Sequence, residues 1–291
     1  MGLSSNLTWY KHIAEKTNKA IRTLMALKAM VGRTWGLNPS KAKWVYTAIA
    51  RPIITYGSIL WASGPVAKNV KHLFNRIQRL AGLMISGGMK TMPTAGLEVI
   101  EGLIPIELLA TELAAKSRVR SREWLQVTWD GLGRTGKGHQ RKLDDIISKS
   151  TNADNIAMEL WKKQWQNLTT CRQTKLLLPE PNLAVSKHLI NMNRPNLCVL
   201  VQFYTGHALL KSHLCKMGVI SDPVCRLCVE DDETASHIAF ECPALECIRR
   251  EYNLCNSEVR FSLEWHQSLC AFLLRDNVRR LTTERIENDE F

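Results

Sequence analysis

The chain has 291 residues, of which 45% are hydrophobic, and this size and composition exclude a largely disordered protein. Its longest apolar run, residues 45–62, is interrupted by Arg51 and Pro52. That run falls short of the about 20 residues that a membrane span needs, so we expect no membrane partner. Nine cysteines, an odd number, without an N-terminal signal peptide indicate a reducing compartment, and we expect an intracellular protein of the nucleus or cytoplasm.

The net charge of +12 is concentrated in the first third of the chain. Residues 1–97 contain fourteen Lys and Arg and a single acid, Glu15, whereas residues 125–291 contain twenty-one basic and twenty-one acidic residues. Such an asymmetry is typical of a face that binds a polyanion, because each neutralised phosphate releases a counterion. The alternative is a set of ordinary solvated helix faces that use Lys and Arg.

The first ninety residues predict helices, and the predicted fold class is mainly α. Apolar residues recur at helical spacing from Trp9 to Val31 and from Val70 to Met84. Between them, a second helix begins at Asn38 and Pro39 and runs to Ile49, and Pro52 is expected to kink or end it. Residues 51–61 are apolar on all sides and predict a buried segment.

The polar faces of the first and third helices carry basic residues opposite their apolar faces. This arrangement lets a helix dock on the body of the protein and present charge outward, where it would hold a DNA or RNA backbone without reading sequence. The candidate contacts are Lys11, Lys16, Lys19, Arg22, Lys28, Lys71, Arg76 and Arg79.

The middle of the chain predicts a helix and then a linker. Pro105 precedes a helix predicted for residues 106–124, and the first region is predicted to end with this helix. Residues 131–138 nearly match a phosphate-binding loop, but Gly138 replaces the hydroxyl that would bind Mg²⁺, so a flexible linker explains them better. The apolar run 197–204 is compatible with a strand or a helix, and residues 208–217 predict a helix.

Four residues near the C-terminus have the spacing of a metal site. Two residues separate the first pair of cysteines, and four separate a histidine from a third cysteine, a distance at which a helical turn returns to nearly the same face. Three thiols and one imidazole complete the tetrahedral shell of a structural Zn²⁺. The predicted ligands are Cys225, Cys228, His237 and Cys242.

Other interpretations of this segment stay open. The four predicted ligands could be unrelated small buried residues, and Cys215 or Cys247 could replace one of them. The four consecutive acids of residues 230–233 are interpreted as a solvated loop rather than as a second cluster, because acids commonly precede a helical turn.

Two separated stretches resemble one family of proteins. The order Trp35-Gly-Leu-Asn-Pro39, then residues 51–61, then Pro93-Thr-Ala-Gly-Leu-Glu-Val-Ile-Glu-Gly-Leu-Ile-Pro105 is similar to the region after the polymerase palm in non-LTR retrotransposon reverse transcriptases. The most similar types are the arthropod jockey-type and ribosomal-DNA-inserting elements. Residues 205–245 resemble the zinc-binding segment at the C-terminus of the same polyproteins.

The resemblance implies a helical thumb-like region at 1–124, a linker and connector at 125–195, a small zinc-stabilised unit at 196–258 and a charged tail at 259–291. Neither Asp144-Asp145 nor Asp231-Asp232 follows the aromatic residue that the polymerase turn needs, and residues 125–182 lack an intact ribonuclease H pattern. We therefore expect a truncated retrotransposon fragment that binds nucleic acid and has no catalytic centre of its own. The alternatives are a zinc-stabilised protein-interaction module or the tail of a longer active RNA-directed DNA polymerase.

Overall fold

The protein is described by a computed structural model that covers residues 9–62, 68–129, 156–255 and 260–283. The prediction of a mainly α fold is confirmed, and β pairing in these ranges is limited to two isolated bridges. No helix in the same ranges is long and apolar enough to cross a membrane. The helices are α1 Tyr10–Leu27, α2 Pro39–Val45, α3 Arg51–Thr55, α4 Ser58–Trp61, α5 Lys68–Ser86, α6 Thr94–Glu101, α7 Ile106–Trp129, α8 Ile156–Asn167, α9 Arg172–Leu177, α10 Leu183–Ile190, α11 Arg194–Thr205, α12 Lys211–Lys216, α13 Glu246–Glu251, α14 Leu263–Leu273 and α15 Asp276–Thr283.

The chain divides into two compact units, each assembled from separated segments. Unit 1 comprises Met1–Ala26, Val45–Gln78 and Ile104–Asn167. In it α7 packs against α3, α4 and α8, and the tilted ring of Trp61 lies 5.9 Å from that of Phe74. The buried face of α1 follows the predicted periodicity, since Ile13, Ala20 and Leu24 are all buried.

Pro52 does not end the second predicted helix. A π-helical turn, Tyr46–Ala50, precedes it, and the backbone amide of Arg51 donates to the carbonyl of Tyr46. The wider turn accommodates the break in the hydrogen-bond ladder that proline, without an N–H, imposes. The helix then continues as α3 until Tyr56, and Gly57 adopts a left-handed φ of +71°.

Residues 51–61 are not buried on all sides, so that prediction is wrong. Arg51, Ile54 and Ser58 are buried, but Tyr56 is 55% exposed and Leu60 is 48% exposed. The segment is amphipathic because its helices pack through one face only, and an apolar composition does not by itself decide which side chains reach the core.

Unit 2 comprises Leu27–Trp44, Arg79–Leu103 and Leu168–Phe291, and α11 lies at its centre. The apolar run 197–204, whose sequence is compatible with a strand or a helix, is part of this helix. Every residue from Leu197 to Thr205 is buried. Asn193 caps it by accepting from the amide of Asn196, and Gly206 ends it with φ +74°. α11 contacts α6, α9, α14 and α15, which explains why a helix that is apolar on most of its surface, with Gln202 and Thr205 as buried polar exceptions, lies at the centre of the unit.

Several predicted features fall outside the described residues. They include the loop at 131–138 that resembles a phosphate-binding motif, the rest of residues 130–155 in the predicted linker and connector, and the last eight residues of the tail. Of the tail, the described part forms α14 and α15.

Candidate metal centre and basic helix faces

The first cysteine pair lies on a tight turn that points both thiols the same way. The amide of Val229 donates to the carbonyl of Cys225 at 3.0 Å, and the amide of Cys225 donates to the carbonyl of Asp231 at 2.8 Å. Closing the turn places Val229 at φ +60°, a left-handed conformation that β-branched residues rarely adopt. The turn is thus held on both sides by backbone hydrogen bonds, which fix the direction of the two side chains.

The second pair is brought together by a π-helical turn, His237–Glu241, rather than by the predicted α-helical pitch. The amide of Cys242 donates to the carbonyl of His237 at 2.7 Å, a hydrogen bond between residues five apart. In an α-helix, residues five apart diverge in direction by about 140°, whereas the wider turn returns the chain to the same side. Both pairs therefore face one point.

The four predicted ligands converge in space. One donor atom from each of Cys225, Cys228, His237 and Cys242 lies within 4.8 Å of all the others, and Cys228 Sγ is 3.3 Å from His237 Nε2. A tetrahedral zinc shell needs separations of about 3.5–3.8 Å between such atoms. The cluster could hold a metal ion, and its soft sulfur and imidazole donors suit zinc better than magnesium or calcium.

The surroundings of the thiols differ. Backbone N–H groups of Asp231 and Glu230 lower the pKa of Cys228 to about 7, because they stabilise its thiolate. Burial raises the pKa of Cys242 to about 12 and also raises that of Cys225. Buried thiolates are costly without a compensating cation, so these two cysteines ionise readily only when a metal supplies that charge.

The remaining imidazole nitrogen of His237 faces an acid. Its Nδ1 lies 4.0 Å from Oδ2 of Asp231, whose side chain is 74% exposed. A carboxylate near the second nitrogen of a metal-binding histidine favours the tautomer in which Nε2 carries the lone pair. The 4.0 Å separation is longer than a hydrogen bond, and the buried Nδ1 has no hydrogen-bond partner among the described residues, so Asp231 acts on this ring through its charge alone.

Glu233 is the residue that sequence reasoning misjudged. It belongs to the acidic run predicted as a solvated loop, but its side chain is completely buried. The guanidinium of Arg226 donates to its carboxylate through Nε at 2.9 Å and NH2 at 2.7 Å, and the amide of Arg226 adds a third bond at 3.0 Å. Arg226 lies between the two cysteines of the first pair, so Glu233 fixes the turn that carries them.

Glu233 and Arg226 also connect the cysteine and histidine cluster to neighbouring helices. Glu233 Oε1 accepts from the amide of Lys211 at 3.1 Å, at the start of α12, and Arg226 NH2 donates to the carbonyl of Leu281 in α15 at 2.8 Å. Every polar atom of this buried carboxylate has a partner, which is the condition under which a buried charge is tolerated. An arginine seven residues before an acid gives no sequence signal for such a pair.

The other candidate ligands lie outside the cluster. Cys215 donates its thiol to the carbonyl of Ser221 at 3.6 Å, and Cys247 is exposed on α13. In the described part of the chain, the four predicted residues form the one group of three or more His, Cys, Asp and Glu side chains that could hold a metal ion.

Most of the predicted nucleic-acid contacts reach solvent. They lie on α1, on the turn after it and on the first half of α5, and among the described residues none of them is in an ion pair. Lys16 is half-buried, with its ammonium 4.8 Å from the centre of the Tyr56 ring. The exposed members are Lys11, Lys19, Arg22, Lys28, Lys71 and Arg76.

Arg79 has an evident structural role. Its guanidinium donates to the carbonyl of Met92 at 2.8 Å, to the hydroxyl of Thr94 at 3.2 Å and to the carbonyl of Lys90. These bonds tie α5 to the loop before α6. With those donors engaged inside unit 2, Arg79 stabilises the fold and has less capacity left for a phosphate.

Comparison with known proteins gives a consistent group of relatives. The "Retrovirus-related Pol polyprotein from type-1 retrotransposable element R1" of Bradysia coprophila is 23% identical over 264 residues, which are 89% of this chain and 25% of that protein. The "Putative 115 kDa protein in type-1 retrotransposable element R1DM" of Drosophila melanogaster is 22% identical over 260 residues, 85% of this chain and 23% of that protein.

A third relative is matched over a larger share of its own length. The "Retrovirus-related Pol polyprotein from type-1 retrotransposable element R1 2" of Nasonia vitripennis is 20% identical over 300 residues, 96% of this chain and 70% of that protein. No family model and no solved structure matches the chain. The chain thus spans about a quarter of the length of the first two relatives. The predicted relationship is confirmed: this chain is a homologue of the Pol polyproteins of R1 type-1 retrotransposable elements.

Proposed function

We propose that this chain is a nucleic-acid-binding part of a retrotransposon Pol polyprotein. In this proposal exposed cations on α1 and α5 hold the backbone of DNA or RNA without reading its sequence, and a structural zinc organises the C-terminal half. No chemical step is assigned to the chain. The proposal rests chiefly on solvent-exposed cations that have no ion-pair partner among the described residues, in a region with one acid in 97 residues.

The geometry of α1 supports this role. At 100° per residue, Lys11, Lys19 and Arg22 fall within an arc of about 80°, on the side opposite the buried Ile13 and Leu24. A rigid helix therefore presents three charges to one strip of solvent. A phosphate backbone satisfies such a strip by releasing counterions, which gives affinity that depends on salt.

Zinc is the proposed ion for the cysteine and histidine cluster. Three thiols and one imidazole leave no open position, which fits a structural role, and Arg226 together with the buried Glu233 braces the turn beside it. All nine cysteines are free, in keeping with the reducing nucleus or cytoplasm in which the proposal places the chain.

The test is binding of a mixed-sequence duplex and single strand, measured by fluorescence anisotropy over a range of salt concentrations. For the parent chain we expect affinity to fall steeply as salt rises. Replacing Lys11, Lys19 and Arg22 by Gln should weaken binding to every sequence alike. The slope of log K against log salt should shrink by about 0.9 for each duplex phosphate that is no longer neutralised, or about 2–3 in total.

The matched control neutralises three exposed cations elsewhere, namely Lys163, Lys187 and Lys216. The net charge of the two triple variants is equal. If both show the same decrease in affinity and slope, the effect belongs to total charge and the proposed face on α1 is wrong. A parent chain whose binding does not respond to salt would contradict the proposal as a whole.

A further inference from the structure

Trp35 lies on the returning side of a short loop, residues 31–36, and is 63% exposed. The loop is closed like a small hairpin. The amide of Gly32 donates to the carbonyl of Trp35 at 3.0 Å, the amide of Leu37 donates to the carbonyl of Met30 at 3.1 Å, and Val31 bridges Gly36. Single exposed aromatic residues are common, and Trp44 is equally exposed at 63%, so the argument for a site at Trp35 depends on how the loop holds the ring.

The loop rests on a firm base within unit 2. The guanidinium of Arg194, which is 3% exposed, donates to the carbonyls of Leu37 at 2.9 Å and Gly32 at 3.2 Å. Gly87, with φ +68°, lets the backbone of Arg33 approach closely, since a Cβ at Gly87 would lie 2.3 Å from the Arg33 carbonyl oxygen. A buried arginine and a glycine contact thus fix the loop in place before any ligand arrives.

The indole itself has a defined seat. A Cβ at Gly32 would lie 2.2, 2.4 and 2.6 Å from Nε1, Cε2 and Cδ1 of Trp35. Three nearly equal distances to atoms of the five-membered ring mean that Gly32 lies against the flat face of the indole and not against its edge. Because the side chain is still 63% exposed, the opposite flat face is the one that solvent reaches.

The sequence on either side of Trp35 is positively charged. Lys28 precedes the loop, Arg33 is part of it and Lys41 follows it, and all three residues are exposed. The sequence contains no Asp or Glu between residues 16 and 97. A flat aromatic surface among cations fits a nucleobase with its phosphate, because the base stacks on the ring while the cations attract the backbone.

We propose that Trp35 is a stacking platform for an unpaired base, so that the chain binds single-stranded nucleic acid at this loop. The inference rests on the proposed nucleic-acid binding and adds a site and a substrate class to it. Duplex bases are already stacked on each other and do not offer a free face to the indole. The platform therefore favours single strands over duplexes, whereas the cations of α1 attract both.

The experiment compares an oligothymidylate of about 20 nucleotides with a mixed-sequence duplex of equal length, using the whole chain. Trp35→Ala should weaken binding of the single strand by about 5- to 100-fold and change duplex affinity less than about twofold. Trp35→Phe, which keeps an aromatic face, should retain most of the affinity. Gly32→Ala keeps the tryptophan but pushes it from its seat, and we expect an intermediate loss.

The matched control is Phe261→Ala, which removes an aromatic side chain that is 37% exposed and lies outside the acid-free stretch. It should leave both affinities unchanged. Equal single-strand affinity for the parent, Trp35→Ala and Gly32→Ala would overturn the platform, while salt-dependent duplex binding would still support the proposed function. A Trp35→Ala variant that changes only self-association would instead identify a protein interface and overturn the inference. Absence of any nucleic-acid binding by the parent would overturn both proposals.

Discussion

The turn that carries the cysteine and histidine cluster and the basic face of α1 use charge in opposite ways. In the first, Glu233 is fully buried and bonded to Arg226, and the donor atoms lie within 4.8 Å of one another. In the second, Lys11 and Arg22 are exposed and unpaired among the described residues. One region depends on distances that a single substitution destroys. The other depends on a summed field, to which each cation adds a small and nearly independent amount.

The largest effect is expected from removing a proposed zinc ligand. Cys225→Ser should reduce bound zinc from one equivalent to none, because the remaining three donors leave an open and weakened shell. Metal and folding free energies are linked, so several kcal/mol of stability should be lost from unit 2. Plasma emission spectrometry would measure the zinc, and thermal unfolding followed by circular dichroism would measure the stability. A strong chelator should reproduce the effect in the parent chain.

Cys247→Ser is the control for this variant, since Cys247 is exposed and lies outside the cluster. It should keep one equivalent of zinc and the stability of the parent. Equal zinc content in the Cys225→Ser and Cys247→Ser variants would contradict the proposed centre. It would also remove the contrast with α1, where the loss of any single cation is expected to weaken nucleic-acid binding only slightly.

The second effect concerns the buried acid beside the cluster. Glu233→Gln keeps the shape of the side chain but leaves Arg226 without its counter-charge, and it weakens the bonds to the amides of Arg226 and Lys211. Breaking a pair in this way should cost about 2–4 kcal/mol. This is less than for a fully buried pair, because the Arg226 side chain is 24% exposed. Urea unfolding of the zinc-loaded chain would measure the loss.

The comparison is sharpened by Glu230→Gln, which neutralises an exposed acid of the same loop. This variant should unfold within about 0.5 kcal/mol of the parent, as is usual for exposed charges. If the two substitutions cost the same, Glu233 contributes only to net charge. The bracing of the cysteine turn by Arg226 would then be refuted.

Much of the cysteine and histidine cluster could be predicted from the sequence, because the spacing of its residues along the chain indicates the turns that carry them. The two-residue spacing of Cys225 and Cys228 is enough to specify a turn, and period 3.6 predicted α1 and α5. Burial of Glu233 was not predictable, since its partners at Arg226 and Lys211 come together only through tertiary folding. Within the acidic run, each residue looks equally solvated until the fold is known.

The charge of the first third of the chain could be predicted only as a total, because the sequence does not show which cations are bonded inside the fold. Counting fourteen cations treats them as one class, but the guanidinium of Arg51 is largely buried and donates to the carbonyl of Ile104 at 2.5 Å. Arg79 and Lys43 likewise donate to backbone carbonyls, those of Met92 and Glu101. Composition therefore predicted the sign of the surface, while the contacts of each side chain decide which cations are available to a polyanion.

The smallest expected effect tests whether the cysteine turn stores strain. Val229 is 73% exposed and adopts φ +60°, a conformation that costs a β-branched residue about 1–3 kcal/mol and costs glycine almost nothing. Val229→Gly should therefore stabilise the zinc-loaded chain by about 1 kcal/mol, after the greater flexibility of the unfolded glycine is subtracted. Val219→Gly is the control, because Val219 is 57% exposed but has an ordinary negative φ, and there glycine should destabilise slightly. If urea unfolding shows that Val229→Gly stabilises the chain and Val219→Gly destabilises it, the strain lies in the cysteine turn. If both variants are destabilised equally, the left-handed valine is not strained, and the cysteines are held by their buried neighbours alone.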